Sequence, residues 1–343
     1  SVVLSGYSPG NVSKQTGVDQ STIVTLAREF ARARRPVAIC GRGQGTVPGG
    51  LGDYLAVHAL NALVGNINRP GGVWALPRPE MEGWSEPVLD ALAEGGLMKP
   101  RLDGAGSASF PFAEQLFNRV PGALMEGRPY PCNALLVNDA NPLFSMPGVE
   151  MVREALQQIP FIVSFASHMD ETAMMADVIL PNRTHLERWE DAPVTDGFHR
   201  PMIGLVKPVV APQRGTMHTG DTVLQLAAAL GGSVAASLPW KDYETCLQDG
   251  LSSHWADLEN KGYWIDEGYQ PDTWSFAFPT PSGKFDFAVS GGDLQALFAP
   301  AQPEGDDGSY NLKLIPYDSV RIANGPVGSP PFLVKIVSDK VLK

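Results

Sequence analysis

Three stretches of this chain set polar or glycine-rich residues directly behind short apolar runs. They are Gly41 to Thr46 after Val37-Ala38-Ile39-Cys40, Asn138 to Ser145 after Ala134-Leu135-Leu136-Val137, and Ser164 to Thr172 at the end of Phe161-Ile162-Val163-Ser164-Phe165. If the apolar runs are parallel strands, these loops converge on the carboxyl edge of a sheet, where α/β proteins bind ligands. The first loop alternates glycine, Gly41-Arg42-Gly43-Gln44-Gly45, and offers exposed backbone N–H groups beside a helix start, an arrangement that suits phosphate. It has G-x-G without the rest of G-x-G-x-x-G, and no acidic residue stands at the distance that would hold a ribose, so it is not the dinucleotide fingerprint. Taken alone it reads equally well as a tight turn. Further on, Glu187, Arg188, Glu190 and Asp191 form a charged knot after Pro181, which by itself reads as a surface loop.

Other chemistries find little support. The six histidines include no i, i+4 pair and no cluster, which argues against zinc. Three cysteines, Cys40, Cys132 and Cys246, stand far apart with no CxxC pair, so this stretch offers no four-thiolate site and no disulfide framework. Neither a G-x-S-x-G elbow nor a Walker loop occurs.

The elements that must position the three loops can be read from periodicity. Asp19 or Ser21 can cap a helix with Ile23, Leu26 and Phe30 on one face, and Pro36 ends it. Val37 to Cys40 then reads as a buried parallel strand, and a helix runs from about Asp53 to Val64. After residue 130 the same order returns: a strand at 134–137, a helix at 149–157, a strand at 161–165, a short helix at 171–175 and a short strand at 177–181. A helix from about Asp221 carries Val223, Leu226, Ala227 and Leu230 on one face, with Gly231-Gly232 beyond its end. This repeated order specifies an α/β fold, doubly wound and mainly parallel, with helices on both faces. We divide the chain into an α/β segment at 1–73, an irregular excursion at 74–130 that could be a lid or an interface, and a dinucleotide-binding-like α/β segment at 131–234. An aromatic-rich irregular region follows at 235–308, then opening strands of an incomplete domain at 309–343, with strands at 312–315 and 332–337. Trp240, Trp255, Trp264 and Trp274 lie in the aromatic region and read as a satellite hydrophobic cluster or a partner surface.

Composition sets the outer bounds. The chain has 343 residues, 43% hydrophobic and 18% charged, enough apolar matter for a large core and too much for a disordered chain. Its formal charge of −11 argues against nucleic acid as a partner. No run approaches the roughly 18 apolar residues of a membrane span, and the first residues lack the basic-then-apolar pattern of a signal peptide. Thirty-six glycines and 30 prolines imply many turns and long connections.

Two long blocks and a short one carry a resemblance. The first runs from Val37-Ala38-Ile39-Cys40-Gly41-Arg42-Gly43 to Leu60-Asn61-Ala62-Leu63-Val64-Gly65-Asn66-Ile67-Asn68-Arg69-Pro70-Gly71-Gly72. The second takes in Ala134 to Asn138, Asn141-Pro142, Asp170-Glu171-Thr172, Ala176 to Pro181 and Leu186-Glu187-Arg188, and the third is Thr280-Pro281-Ser282-Gly283-Lys284-Phe285. In order and spacing they resemble the large subunit of molybdopterin oxidoreductases, the dimethyl sulfoxide reductase superfamily, over most of residues 15 to 290. Ser164 to Thr172 and Leu186 to Trp189 look most like its quinone-linked branch, which includes polysulfide reductase, the menaquinone reductase complex and alternative complex III.

The resemblance implies the central α/β portion of such a subunit with the opening strands of a C-terminal β-barrel. It implies contacts to one molybdopterin guanine dinucleotide at Arg42, Thr46, Asn141, Ser164, Phe165, Arg188 and Asp221, with no iron–sulfur cluster in this chain. At one position the sequence departs from the family, which usually has an acidic residue where Phe165 stands. A phenyl ring cannot accept from guanine N–H groups. Two readings of function follow. One is a scaffold that has lost the metal cofactor; the other is an active catalytic subunit holding molybdenum between two such dinucleotides for two-electron chemistry on a small substrate. Either implies a periplasmic or membrane-associated respiratory complex. The implied partners are an iron–sulfur subunit, an integral membrane quinone-binding subunit and a multihaem cytochrome.

Overall fold

The computed structural model describes residues 6–40, 50–75, 84–110, 113–194, 198, 200–271, 278, 280–287, 308–309 and 312. Arg42, Thr46, Trp274 and the expected strands at 312–315 and 332–337 lie outside these residues, apart from Leu312 itself. The helices are α1 (Pro9–Thr16), α2 (Gln20–Arg32), α3 (Gly50–Leu63), α4 (Ala91–Leu97), α5 (Val120–Glu126), α6 (Pro142–Ser145), α7 (Val149–Gln157), α8 (Thr219–Leu230), α9 (Gly232–Ser237), α10 (Tyr243–Gly250) and α11 (Trp255–Lys261). The strands are β1 (Leu135–Val137), β2 (Ile162–Ser164), β3 (Val178–Ile179), β4 (Glu190–Val194), β5 (Met202–Val206) and β6 (Tyr263–Ile265). The chain divides into two compact units. One holds residues 1–79, 194–202 and 265–313; the other holds 80–193, 203–264 and 314–343.

In the second unit β1, β2 and β3 form a parallel sheet in that order. Leu135 pairs with Ile162, Leu136 with Val163 and Val137 with Ser164, while Val163 and Ser164 face Val178 and Ile179. The strands are short and apolar, and β2 is buried along its length, as a central parallel strand should be. Asp177 fastens the start of β2 by accepting from the Ile162 N–H at 2.7 Å. One core gathers Val137 and Ile162 from the sheet, Leu124 from α5, and Val152, Ala155 and Leu156 from α7. It forms because α7 presents those residues at i, i+3 and i+4, on one helix face. The strands predicted at 134–137, 161–165 and 177–181 therefore stand, trimmed by one, two and three residues.

A second sheet, β4-β5-β6, is antiparallel and was not anticipated from sequence. Ile203 and Leu205 alternate inward along β5 and pack with Leu247, Leu251 and Leu258. Trp189, Tyr243, Trp255 and Trp264 border this core, so several aromatics of the 235–287 region serve as a hydrophobic cluster. The rings of Trp84 and Trp240 also meet, 5.2 Å between centroids.

The first unit corrects one expectation. Val37 to Cys40 forms no strand, and Ile39 is 80% exposed. The backbone of this segment finds its partners in side chains. Asn61, fully buried on α3, donates from Nδ2 to the Ala38 carbonyl and accepts at Oδ1 from the Ala38 N–H, both at 2.9 Å. Asn66 Nδ2 donates to the Pro36 carbonyl. A side-chain amide thus satisfies Ala38 in place of a neighbouring strand. The turn after α3 closes tightly at Gly72, where any Cβ would collide with the Asn66 carbonyl oxygen. A second correction concerns α8. Its buried face is Leu224 and Ala227, and Val223, Leu226 and Leu230 are exposed, the last by 73%.

Candidate functional site

The parallel register sets the ends of β1, β2 and β3 side by side. The Phe165 N–H donates to the Val137 carbonyl at 2.8 Å, and the Leu180 N–H donates to Ser164 at 2.9 Å. Asn138, Phe165 and Leu180 therefore emerge at the same level. The loops beyond them and the start of α8 share one hydrogen-bonded belt within the second unit.

Asn141 lies at the β1 exit and is buried. Its Oδ1 accepts from the Thr172 hydroxyl at 2.7 Å, and its Nδ2 donates to Glu171 Oε2 at 2.7 Å. That second bond holds the Glu171 carboxyl below its ordinary pKa. Asn141 therefore ties the first loop to the third and leaves its amide committed to the chain.

Ser164 is buried at the end of β2, and its hydroxyl accepts from the Ala166 N–H at 3.3 Å. Phe165 is 2% exposed. Its ring is a core group, so the position supplies neither a polar contact nor an open gap at the sheet edge.

Arg188 carries the densest set of contacts. Nη1 donates to Asp139 Oδ2 and to the Arg183 carbonyl, both at 3.1 Å, and Nη2 pairs with Glu190 Oε1 at 2.6 Å. Asp139 adopts φ +45°, a conformation Asp tolerates, and its Oδ2 also accepts from Asn182 Nδ2 at 3.2 Å. Asn182 Oδ1 accepts from the Thr219 N–H at 3.1 Å, and the Thr219 hydroxyl donates to Asn138 Oδ1 at 2.8 Å. The N-terminus of α8 is thereby stitched to the ends of β1 and β3.

Asp221 lies in the first turn of α8. Its Oδ1 accepts from the Tyr243 N–H at 2.8 Å, and its Oδ2 is 3.8 Å from Arg183. His218 caps the helix, its Nδ1 accepting from the Gly220 N–H at 3.2 Å and its ring 4.4 Å from that of Tyr243. Burial pushes the His218 pKa down and raises that of Tyr243 to about 12, with Asp191 adding to the latter. Glu187, also buried, accepts from the N–H groups of Thr184 and Gln213, and these bonds hold its pKa low.

Of the seven residues singled out from the sequence, Asn141, Ser164, Phe165, Arg188 and Asp221 all lie on this edge, whereas Arg42 and Thr46 are outside the described residues. Sequence reasoning missed Asp139, Asn182, Arg183, His218 and Thr219. A cue existed for Asp139 and Asn182, each of which follows the end of a predicted strand. Among the described residues no group of three His, Cys, Asp or Glu side chains is placed to hold a metal ion, and no helix is long and apolar enough to cross a membrane.

Residues 14–216, more than half of the chain, match the family model for molybdopterin oxidoreductase. The chain belongs to that family. It is 28% identical over 98% of its length to the menaquinone reductase molybdopterin-binding-like subunit of Nitratidesulfovibrio vulgaris, of which the match covers 43%. It is 25% identical over 83% of its length to the arsenate respiratory reductase molybdopterin-containing subunit of a Shewanella species, covering 38% of that protein. In three dimensions it superposes on acetylene hydratase from Pelobacter acetylenicus with a TM-score of 0.66 and 19% identity, covering 89% of this chain and 46% of that one. The chain thus spans less than half the length of these molybdopterin oxidoreductase relatives and of the hydratase.

Membership implies a pterin dinucleotide, whose diphosphate needs free donors and positive charge. Both Nη atoms of Arg188 are already engaged by Asp139, Glu190 and the Arg183 carbonyl. Asp139, Glu190 and Asp221 set three carboxylates against the guanidiniums of Arg183 and Arg188. At this edge a diphosphate would meet those three carboxylates and an Arg188 whose Nη donors are already in use, so the surroundings of Arg188 fit it poorly, although the buried Nε groups of Arg183 and Arg188 have no hydrogen-bond partner.

Proposed function

We propose that this chain is the central α/β portion, doubly wound and leading into a C-terminal β-barrel, of a molybdopterin-oxidoreductase-like subunit in a quinone-linked respiratory complex. In this reading it serves as a scaffold that has lost the metal cofactor. The observation that carries the proposal is Arg188, the guanidinium at the strand ends, clasped by Asp139 and Glu190. Phe165, buried where the family places an acidic residue, supports it, as does the likeness to a menaquinone reductase subunit across nearly the whole chain. A scaffold needs the fold and its surfaces and has no need of free donors at the sheet edge. Its partners would be an iron–sulfur subunit, an integral membrane quinone-binding subunit and a multihaem cytochrome, in a periplasmic or membrane-associated setting.

A second reading, the active catalytic subunit with molybdenum held by pterin guanine dinucleotides, has one observation in its favour. The Nε atoms of Arg183 and Arg188 are buried without a hydrogen-bond partner, and an added oxygen ligand could satisfy them. The test is elemental analysis of the intact native complex, paired with pterin fluorescence after oxidative release. The scaffold reading expects neither molybdenum nor tungsten and no guanine-containing pterin. Stoichiometric metal with such a pterin would overturn it and establish the catalytic reading.

A further inference from the structure

Away from the strand ends, the second unit has a trough of about 830 Å³ along α5, lined by residues that include Arg101, Asn118, Arg119, Glu126, Arg128 and Met151. The chain as a whole is strongly acidic, at −11, yet this trough is lined by three arginines against two carboxylates, Asp103 and Glu126. Arg101 spends Nε and Nη2 on Asp103, at 2.9 and 2.8 Å. Asp103 accepts as well from the N–H groups of Ala105 and Leu116, and the Arg101 guanidinium with these bonds holds its carboxyl far below the usual range. That carboxylate has nothing left for the other two arginines, and neither of them makes an ion pair among the described residues. Arg119 lies over the Phe110 ring, its guanidinium carbon 4.7 Å from the ring centre, a cation–π contact that does not consume its N–H donors. Arg128 is anchored through its backbone, its N–H donating to the Ala123 carbonyl at 3.1 Å.

The placement of these two arginines limits what they can hold. Arg119 immediately precedes α5 and Arg128 follows it by two residues, so a seven-residue helix, about 10 Å long, separates their backbones. Arginines mounted at the two ends of a helix can address two anionic groups at once. Carboxylates about three residues apart on an extended peptide match the distance at about 3.3 Å per residue. Leu102, Pro129 and Met151 also line the trough and supply apolar contact between the charges. A concave surface with separated guanidiniums favours a peptide over a flat lipid surface.

We infer that the α5 trough docks an extended acidic segment of a partner protein through Arg119 and Arg128. The test uses the full-length protein and fluorescein-labelled hexaglutamate, read by anisotropy at low salt, about 20 mM, where screening is weak. Binding should weaken about tenfold or more in Arg119→Gln/Arg128→Gln, the scale expected for losing two charge-assisted contacts. It should persist in Arg32→Gln/Arg34→Gln, which removes the same charge from an exposed part of the other unit. Equal weakening in both double variants would overturn the inference by reducing it to net charge. Full displacement by submillimolar pyrophosphate would overturn it in favour of a small-anion site. Binding of phosphatidylglycerol vesicles that depends on Arg119 and Arg128, without hexaglutamate binding, would overturn it in favour of a lipid surface.

Discussion

Arg188 and Arg119 belong to the same compact unit and differ in almost everything but residue type. Arg188 is 13% exposed and answers to two carboxylates, a carbonyl and, through Asp139, the start of α8. Arg119 is exposed, lies over one phenyl ring and pairs with no carboxylate among the described residues. The guanidinium that matches the family motif has both of its Nη groups engaged, and the one outside every motif has donors to offer. What a basic residue can bind is decided by what already holds it.

The largest effect should come from Phe165. Phe165→Asp puts a carboxylate where the ring is 2% exposed, combining a lost core side chain with a buried charge. We expect a loss of about 4 kcal/mol or more in urea unfolding. We also expect no gain in pterin or metal content, which elemental analysis of the same preparation would check. A variant that folds normally and takes up cofactor would break the contrast outright, by showing an open site behind Phe165.

Arg188→Leu comes next. It strands Asp139 and Glu190 without their partner. Both carboxylates are about a third exposed, so solvent softens the penalty to about 2–3 kcal/mol, below that of a fully buried pair. The shift in unfolding midpoint measures it, and a change within about 0.5 kcal/mol would mean that the clasp contributes no more than a surface pair.

A smaller, pH-dependent effect belongs to His218. Because burial lowers its folded pKa below the ordinary 6.5, the neutral ring contributes stability above that pH. This contribution is lost as pH falls through 6.5 toward the folded value, when Nδ1 gains a proton and can no longer accept from Gly220. Glu171 and Glu187, whose pKa values are lowered from 4.5, add their own losses only below that pH. Stability recorded between pH 7.5 and 5 should therefore fall in the wild type. His218→Asn keeps a capping oxygen and should flatten the slope, at a cost of about 1 kcal/mol or less at pH 7.5. An unchanged slope in that variant would assign the titration elsewhere.

Arg119→Gln and Arg128→Gln should alter stability least, within about 0.5 kcal/mol, because both side chains are exposed and neither pairs with a carboxylate among the described residues. A marked loss on unfolding would make the trough a structural feature and bring its arginines closer in kind to Arg188.

The sequence made the parallel sheet legible because β1 and β2 are short apolar runs that end at polar loops, with an amphipathic α7 between them. The edge could be located from the same runs, and Asn141, Ser164, Arg188 and Asp221 do gather there. The contacts that decide its chemistry were not legible. Asp139 meets Arg188 across 49 residues and Thr219 meets Asn138 across 81, separations at which periodicity carries no information. Val37 to Cys40 has the composition of a strand, but its hydrogen bonds go to Asn61, 23 residues on. The antiparallel sheet escaped notice because β4, Glu190 to Val194, and β6, Tyr263 to Ile265, show no alternation of polar and apolar residues, and Pro193 interrupts the first. The buried face of α8 was misjudged because both of its faces carry apolar residues, so the pattern alone could not choose between them.

The Asn61 clamp on Ala38 bears on the order of folding. An ordinary strand recruits a row of amides from its neighbour, and those amides become protected from exchange with solvent as a set. Here the Ala38 amide depends on one side chain mounted on α3. Its deuterium uptake should therefore track the opening of that helix, making a single amide a reporter of when residues 36–38 and α3 come together.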